Sequence, residues 1–212
     1  MLYRLPLDLT ARNTEPRYNV CPTDPIDVVT ARDDRLELIS VRWGLVPWWW
    51  SKSLKEMKLA TFNARAESVA TKPLFRDAFK RKRCLVLADG FYEWKREGKS
   101  KVPYRIALKT EEPFAFAGIW STGHDAQGIE QPTFAILTTE ANALVSQIHT
   151  RMPVILREQD EADWLNPRLS LDEAQLLLVP CSADRLMIYE VSSKVNSPAF
   201  NIPEALQPVA QE

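Results

Sequence analysis

Fifteen prolines stand against only six glycines in this chain, and they are spread along its whole length. Each proline fixes its own φ, withholds a backbone donor and pushes the residue before it out of the helical region. Long helices are therefore excluded wherever prolines cluster. Pro16 to Pro25 carries three of them and reads as extended strand and turn. The chain has to build from short, stiffly turned segments.

Between these stops the hydrophobic period selects the elements. Residues 26–30 are rich in β-branched side chains and residues 36–43 alternate, so they read as two strands joined by a turn at 32–35. Residues 47–58 form a long loop carrying Trp48, Trp49 and Trp50, and three adjacent indoles cannot all enter one core. In residues 73–83, Leu74, Phe75, Ala78 and Phe79 mark a short amphipathic helix with cations at its end. Strands are expected at 84–88, 91–95, 103–107, 114–120, 133–138 and 186–191, with turns at Asp89-Gly90 and 96–101. Helices are expected at 140–148, 158–164 and 171–176, the last capped by Ser170 with Glu173. With no repeat, low-complexity tract or interdomain linker in 212 residues, the reading is one β-rich α+β domain: a curved sheet or barrel-like core with covering helices.

Charge and cysteine use remove several function classes. Lysine and arginine total 27 against 28 acidic residues, a net charge of −1, so any nucleic-acid site must be a local patch. Cys21, Cys84 and Cys181 are far apart and form no CxxC, and only two histidines are present. Neither a disulfide framework nor a metal centre is suggested, and no cofactor is expected. No apolar run reaches the roughly 18 residues a membrane span needs, and residues 1–9 lack a signal-peptide core. The expectation is a cytoplasmic, monomeric protein with no membrane partner.

Four clusters place reactive groups among apolar strands. His149 follows a helical stretch and precedes Pro153, where it either complements a helix C-terminus or carries protons. Glu93 lies between aromatic neighbours; facing inward it is a desolvated proton shuttle, and otherwise it is half of a cross-strand ion pair with Arg105 or a lysine. Asn63 and Arg65 suit a phosphate or carbonyl ligand, or equally a capped turn with a surface cation. The tryptophan loop is either core and lid or a platform for unpaired bases, with Lys52, Lys55, Lys58, Arg65 and the 80–83 cations as phosphate contacts.

Taken in order, Arg17-Tyr18-Asn19-Val20-Cys21-Pro22, Trp43-Gly44-Leu45-Val46-Pro47, Asn63-Ala64-Arg65, Ala88-Asp89-Gly90-Phe91-Tyr92-Glu93-Trp94 and Ile148-His149-Thr150-Arg151-Met152-Pro153 closely resemble the SRAP family, the SOS response-associated peptidases. The likeness runs from about Arg17 to Val209. It implies a sensor that crosslinks to abasic sites in single-stranded DNA. In that family the α-amine of an N-terminal cysteine forms a Schiff base with the ring-opened sugar, and its thiol closes a thiazolidine. By motif, the resemblance makes Asn63, Glu93 and His149 the catalytic set, with Asn63 positioning the N-terminal residue. It assigns Arg65 and Arg151 to phosphates, Trp49, Trp50 and Pro22 to bases beside the lesion, Thr138 to the pocket lining and Asn19 to the DNA-binding set.

The chain departs from the family at its start, Met1-Leu2-Tyr3-Arg4, where the cysteine should stand second. Either the recorded start lies downstream of the true one, so that residues 1–212 are an N-terminally truncated domain, or the chain is naturally short. An internal Cys21, without a free amine, cannot replace an aminothiol. Alternatives of other classes are a peptidase using Glu93 and His149 on water, acting in the SOS response or self-processing, and a noncovalent reader of single-stranded DNA.

Overall fold

A computed structural model describes residues 15–32, 35–125 and 127–209; the expectations for residues 1–14, for the turn tip at 33–34 and for the Lys55 side chain lie outside it. Strands β1 (Pro25–Arg32) and β2 (Arg35–Trp43) form the expected hairpin, antiparallel from Pro25 opposite Arg42 to Arg32 opposite Arg35. The remaining strands are β3 (Asn63–Arg65), β4 (Arg83–Ala88), β5 (Phe91–Glu97), β6 (Ser100–Leu108), β7 (Phe114–His124), β8 (Glu130–Glu140), β9 (Arg151–Pro153) and β10 (Leu186–Glu190). Helices α1 (Arg76–Arg81), α2 (Glu158–Leu165) and α3 (Leu171–Leu176) complete the frame.

The larger sheet runs β2-β1-β4-β7-β8-β3, with β9 beside β8. Because β2 also pairs in parallel with β8 at Arg42–Thr133 and Trp43–Phe134, strands β2, β1, β4, β7 and β8 close into a ring. The smaller sheet runs β10-β6-β5. The protein is an α+β fold with a barrel-like sheet and covering helices. Close approach of β4 to β7 depends on Gly118, where a Cβ would lie 2.7 Å from Cys84 Sγ and 2.9 Å from Val86 Cγ2.

Alternation along each strand sends side chains to two cores. On one face Leu85, Ala117 and Leu137 pack under Phe79 of α1 and Trp164 of α2. On the other, Phe116, Phe134 and Ile136 meet Ile106, Leu186 and Phe91 of the smaller sheet. The outer side of that sheet is covered by Val195 and Ala205 together with Tyr18. Ser170 and Glu173 form the expected capping box of α3. No helix among the described residues is long and apolar enough to cross a membrane.

Two expectations are corrected. The helix expected at 140–148 is a single 3-10 turn, Val145–Gln147. Thr139 and Glu140 are held in the sheet opposite Met152 and Arg151, and Asn142 Oδ1 accepts only the Leu144 and Val145 N–H groups, at 3.0 and 2.9 Å. The cationic run at 80–83 is not one exposed patch either. Arg83 is buried and donates to the carbonyls of Trp164, Phe79 and Asn166 at 2.7, 3.2 and 2.6 Å, while Lys82 lies 4.4 Å from the Trp120 ring centroid.

Candidate functional site

Register decides which side chains can meet, because residues opposite one another in a ladder share a face. Asn63 lies opposite Ile136 and Arg65 opposite Thr138. Ile136 belongs to the core between the two sheets, so Asn63, Arg65 and Thr138 look toward the smaller sheet. There Glu93 lies opposite Tyr104, two positions beyond Phe91 and Ile106, which close the same core. The carboxylate thus sits at the open end of the inter-sheet space. Arg105 has the other parity and binds Asp89 and the Tyr189 hydroxyl, which removes the ion pair with Glu93 as an alternative.

Glu93 faces His149, with Oε1 3.9 Å from Nδ1. Burial pushes the Glu93 carboxyl up, and the His149 ring and the Trp94 N–H only partly counter this. The Arg151 main chain meets the same ring nitrogen, its N–H and its carbonyl oxygen each lying 3.1 Å from Nδ1, so the tautomer decides which of the two is bonded. Nearly half of the His149 side chain remains exposed. A carboxyl that favours its neutral form beside an imidazole can pass one proton between them without changing net charge. No hydroxyl or thiol bonds the His149 ring among the described residues, so a Ser-His or Cys-His nucleophile is not assembled there.

The two arginines of the set behave differently. Arg151 donates to both oxygens of Glu67, at 2.8 and 3.0 Å, and to the Thr138 carbonyl at 2.6 Å. The Arg65 side chain is exposed and makes no hydrogen bond among the described residues. The Asn63 amide is likewise exposed and unbonded among them, whereas Thr138 is buried.

Trp43, which sequence reasoning treated only as part of a motif, ties the rim together. Its backbone bonds Thr23 and Asp24, at 2.8 and 2.9 Å, beside exposed Pro22. Its indole donates at 2.8 Å to the Phe62 carbonyl, next to Asn63. The Pro22 turn is braced further by Asp24, which accepts from the Cys21 N–H and from Arg17. In the tryptophan loop Trp49 is 44% exposed, half-buried Trp50 donates to the Ser53 carbonyl, and Trp48 reaches Asp77 on α1. The Asn19 amide is committed to the Val195 and Ser197 carbonyls, so it anchors residues 18–19 to the C-terminal segment. Strand alternation across the 91–107 hairpin could have signalled Tyr104 opposite Glu93, whereas no local pattern signals the Glu67–Arg151 clamp, whose partners lie 84 positions apart.

Comparison with known proteins returns one consistent set. The family model described as SOS response associated peptidase (SRAP) matches residues 4–198. The abasic site processing protein YoqW of Bacillus subtilis is 43% identical over 196 residues, which is 91% of this chain and 86% of that protein. The abasic site processing protein YedK of Escherichia coli is 33% identical over 195 residues, covering 91% and 85%. A crystal structure of a protein from Bacteroides thetaiotaomicron superposes with a TM-score of 0.80 at 35% identity, covering 89% of this chain and 82% of that one.

Proposed function

The chain belongs to the SRAP family, and from that premise we propose that it binds single-stranded DNA at abasic sites, with Glu93 and His149 as the proton-handling pair at the damaged sugar. The observation that carries this reading is the 3.9 Å approach of the two groups at the open end of the inter-sheet core, on the side to which Asn63 and Arg65 point. An abasic sugar exists partly as a ring-opened aldehyde, and opening and imine formation both require proton transfer at oxygen. Protonated Glu93 donates to the ring oxygen as the C1′–O4′ bond breaks, while His149 takes the proton of the C1′ hydroxyl that becomes the aldehyde. After an amine adds, the His149 imidazolium returns that proton to the carbinolamine hydroxyl, which leaves as water, and the Glu93 carboxylate takes the proton from nitrogen. Asn63 offers an amide donor to the sugar oxygens or to an attacking amine, and Thr138 closes the pocket wall.

Arg65 holds a phosphate, while Arg151, already clamped, supports the pocket and presents the edge of its guanidinium. Trp49, Trp50 and Pro22 border the bases beside the lesion, where stacking contributes about 1–3 kcal/mol per base. Asn19 serves the site indirectly, as the anchor of the segment leading to the Pro22 turn. A stable thiazolidine needs an amine and a thiol on one residue. Met1 and Leu2 lack a thiol, and the three cysteines are internal.

Incubation with an abasic oligonucleotide tests this chemistry. Residues 1–212 as written should give no heat-stable adduct, and a version extended to begin with an exposed N-terminal cysteine should give one. A heat-stable adduct from the unextended chain would refute the assignment of stable linkage to an aminothiol.

A further inference from the structure

We infer that Glu67 is an internal stand-in for a strand phosphate: in the free protein its carboxylate occupies the Arg151 guanidinium, and a phosphate of the bound strand displaces it. The inference deepens the single-strand reading of this site and rests on it. Thr138 belongs to two ladders, opposite Arg65 of β3 and opposite Pro153 of β9. Two guanidiniums are thereby brought to one stretch of β8, since Arg65 shares a register position with Thr138 and Arg151 donates to the Thr138 carbonyl at 2.6 Å. Glu67 follows Arg65 by two residues, in the 3-10 turn Ala66–Ser68, and accepts from Arg151 through two parallel bonds of 2.8 and 3.0 Å. The Arg151 hydrogen bonds hold the Glu67 carboxyl below its ordinary value, and the Arg65 charge adds to this. The carboxylate therefore lies in the field of both rim cations.

Three observations make that carboxylate a replaceable partner. About half of the Glu67 side chain is exposed, so an anion can approach the pair from solvent, and an ion pair open to water contributes little to stability. The fork uses the two terminal nitrogens of Arg151, whereas its Nε is buried and bonds nothing among the described residues. Buried donors are nearly always satisfied, so the pairing with Glu67 does not complete the guanidinium. The Thr138 carbonyl holds Arg151 independently of Glu67, which keeps the guanidinium at the rim once the carboxylate leaves. A phosphate offers the same two-oxygen face that Arg151 now grips. With Glu67 in place Arg151 supports the pocket wall; with Glu67 displaced it joins Arg65 as a second phosphate contact.

The test is binding of an intact oligothymidine strand, which carries phosphates and no abasic sugar, to the full chain by fluorescence anisotropy of the labelled strand. Glu67→Gln removes the competing charge and should tighten binding about fivefold. Glu67→Asp keeps the charge but is one methylene too short for the fork, and should fall between that variant and wild type. In an Arg151→Gln background, whose amide can still donate to the Thr138 carbonyl, the gain from Glu67→Gln should shrink below about twofold. Glu204→Gln, in the segment on the outer side of the smaller sheet, measures the effect of losing any one acid and should also stay below about twofold. Melting temperatures establish that each variant is folded. Unchanged or weaker binding by Glu67→Gln, a gain no larger than that of Glu204→Gln, or a gain of equal size in the Arg151→Gln background overturns the inference. If the gain depends on Arg151 as described while the wild-type chain fails to distinguish abasic from intact strands, the abasic-site reading fails and the exchange stands.

Discussion

Arg83 and Arg151 both sit against the large sheet, and their surroundings differ in kind. Arg83 is buried on the helix-covered face, satisfied by three carbonyls and stacked 5.6 Å from the Trp164 ring centroid. Its burial lowers its proton affinity, the mark of a charge kept for architecture. Arg151 lies at the open end of the opposite face, held by a solvent-exposed carboxylate and bonded through its own backbone to an imidazole. A guanidinium answered only by fixed carbonyls has nothing left to exchange with a ligand. One answered by a half-exposed carboxylate can exchange that partner for an anionic ligand.

Substitutions can sharpen or break this contrast. The largest effect is expected on the closed face. Trp164→Ala empties a fully buried site and should cost about 3–5 kcal/mol, read by chemical denaturation, while the surviving folded protein keeps its affinity for single-stranded DNA. Arg83→Met leaves three carbonyls without their donor and should cost about 3 kcal/mol, again with DNA affinity retained. A loss of DNA affinity in either folded variant, out of proportion to stability, would break the division between the two faces.

At the open end the effects on stability are smaller and depend on pH. The folded protein raises the Glu93 carboxyl above its ordinary value, chiefly by burial. Its contribution is therefore fully present below the unfolded value of about 4.3 and is lost as pH rises through the raised one. Glu93→Gln, neutral throughout, should melt higher than wild type at pH 7 and at the same temperature near pH 4. Equal melting temperatures at both would show that the carboxyl is not desolvated. The smallest stability effect belongs to Arg65→Ala, within about 0.5 kcal/mol. That variant should lower the salt slope of single-strand binding by about 0.7, and an unchanged slope would remove Arg65 from the phosphate contacts.

Much of this architecture was legible in the sequence, for identifiable reasons. The β1–β2 and β5–β6 hairpins carry period-two patterns with local turns, and the Ser170–Glu173 cap lies within one helical turn, so local rules suffice. Glu93 and His149 stood out because polar groups among aromatic and apolar strands need a reason. What stayed hidden depends on distant partners. Strands β3 and β9 have three residues each, too few to show a period. Arg83 looked like one more cation because the carbonyls of Trp164 and Asn166 lie more than eighty positions away. The 140–148 segment has helical composition, but pairing of Thr139 and Glu140 with β9 overrides it.

Binding of a labelled single strand with one abasic site, set against the same strand intact, tests the central claim most directly when repeated for Asn63→Ala, Glu93→Gln and His149→Ala. The account predicts tighter binding to the abasic strand by the wild-type chain, and collapse of that preference in the three variants with affinity for the intact strand unchanged. Equal affinity of the wild-type chain for both strands would contradict it.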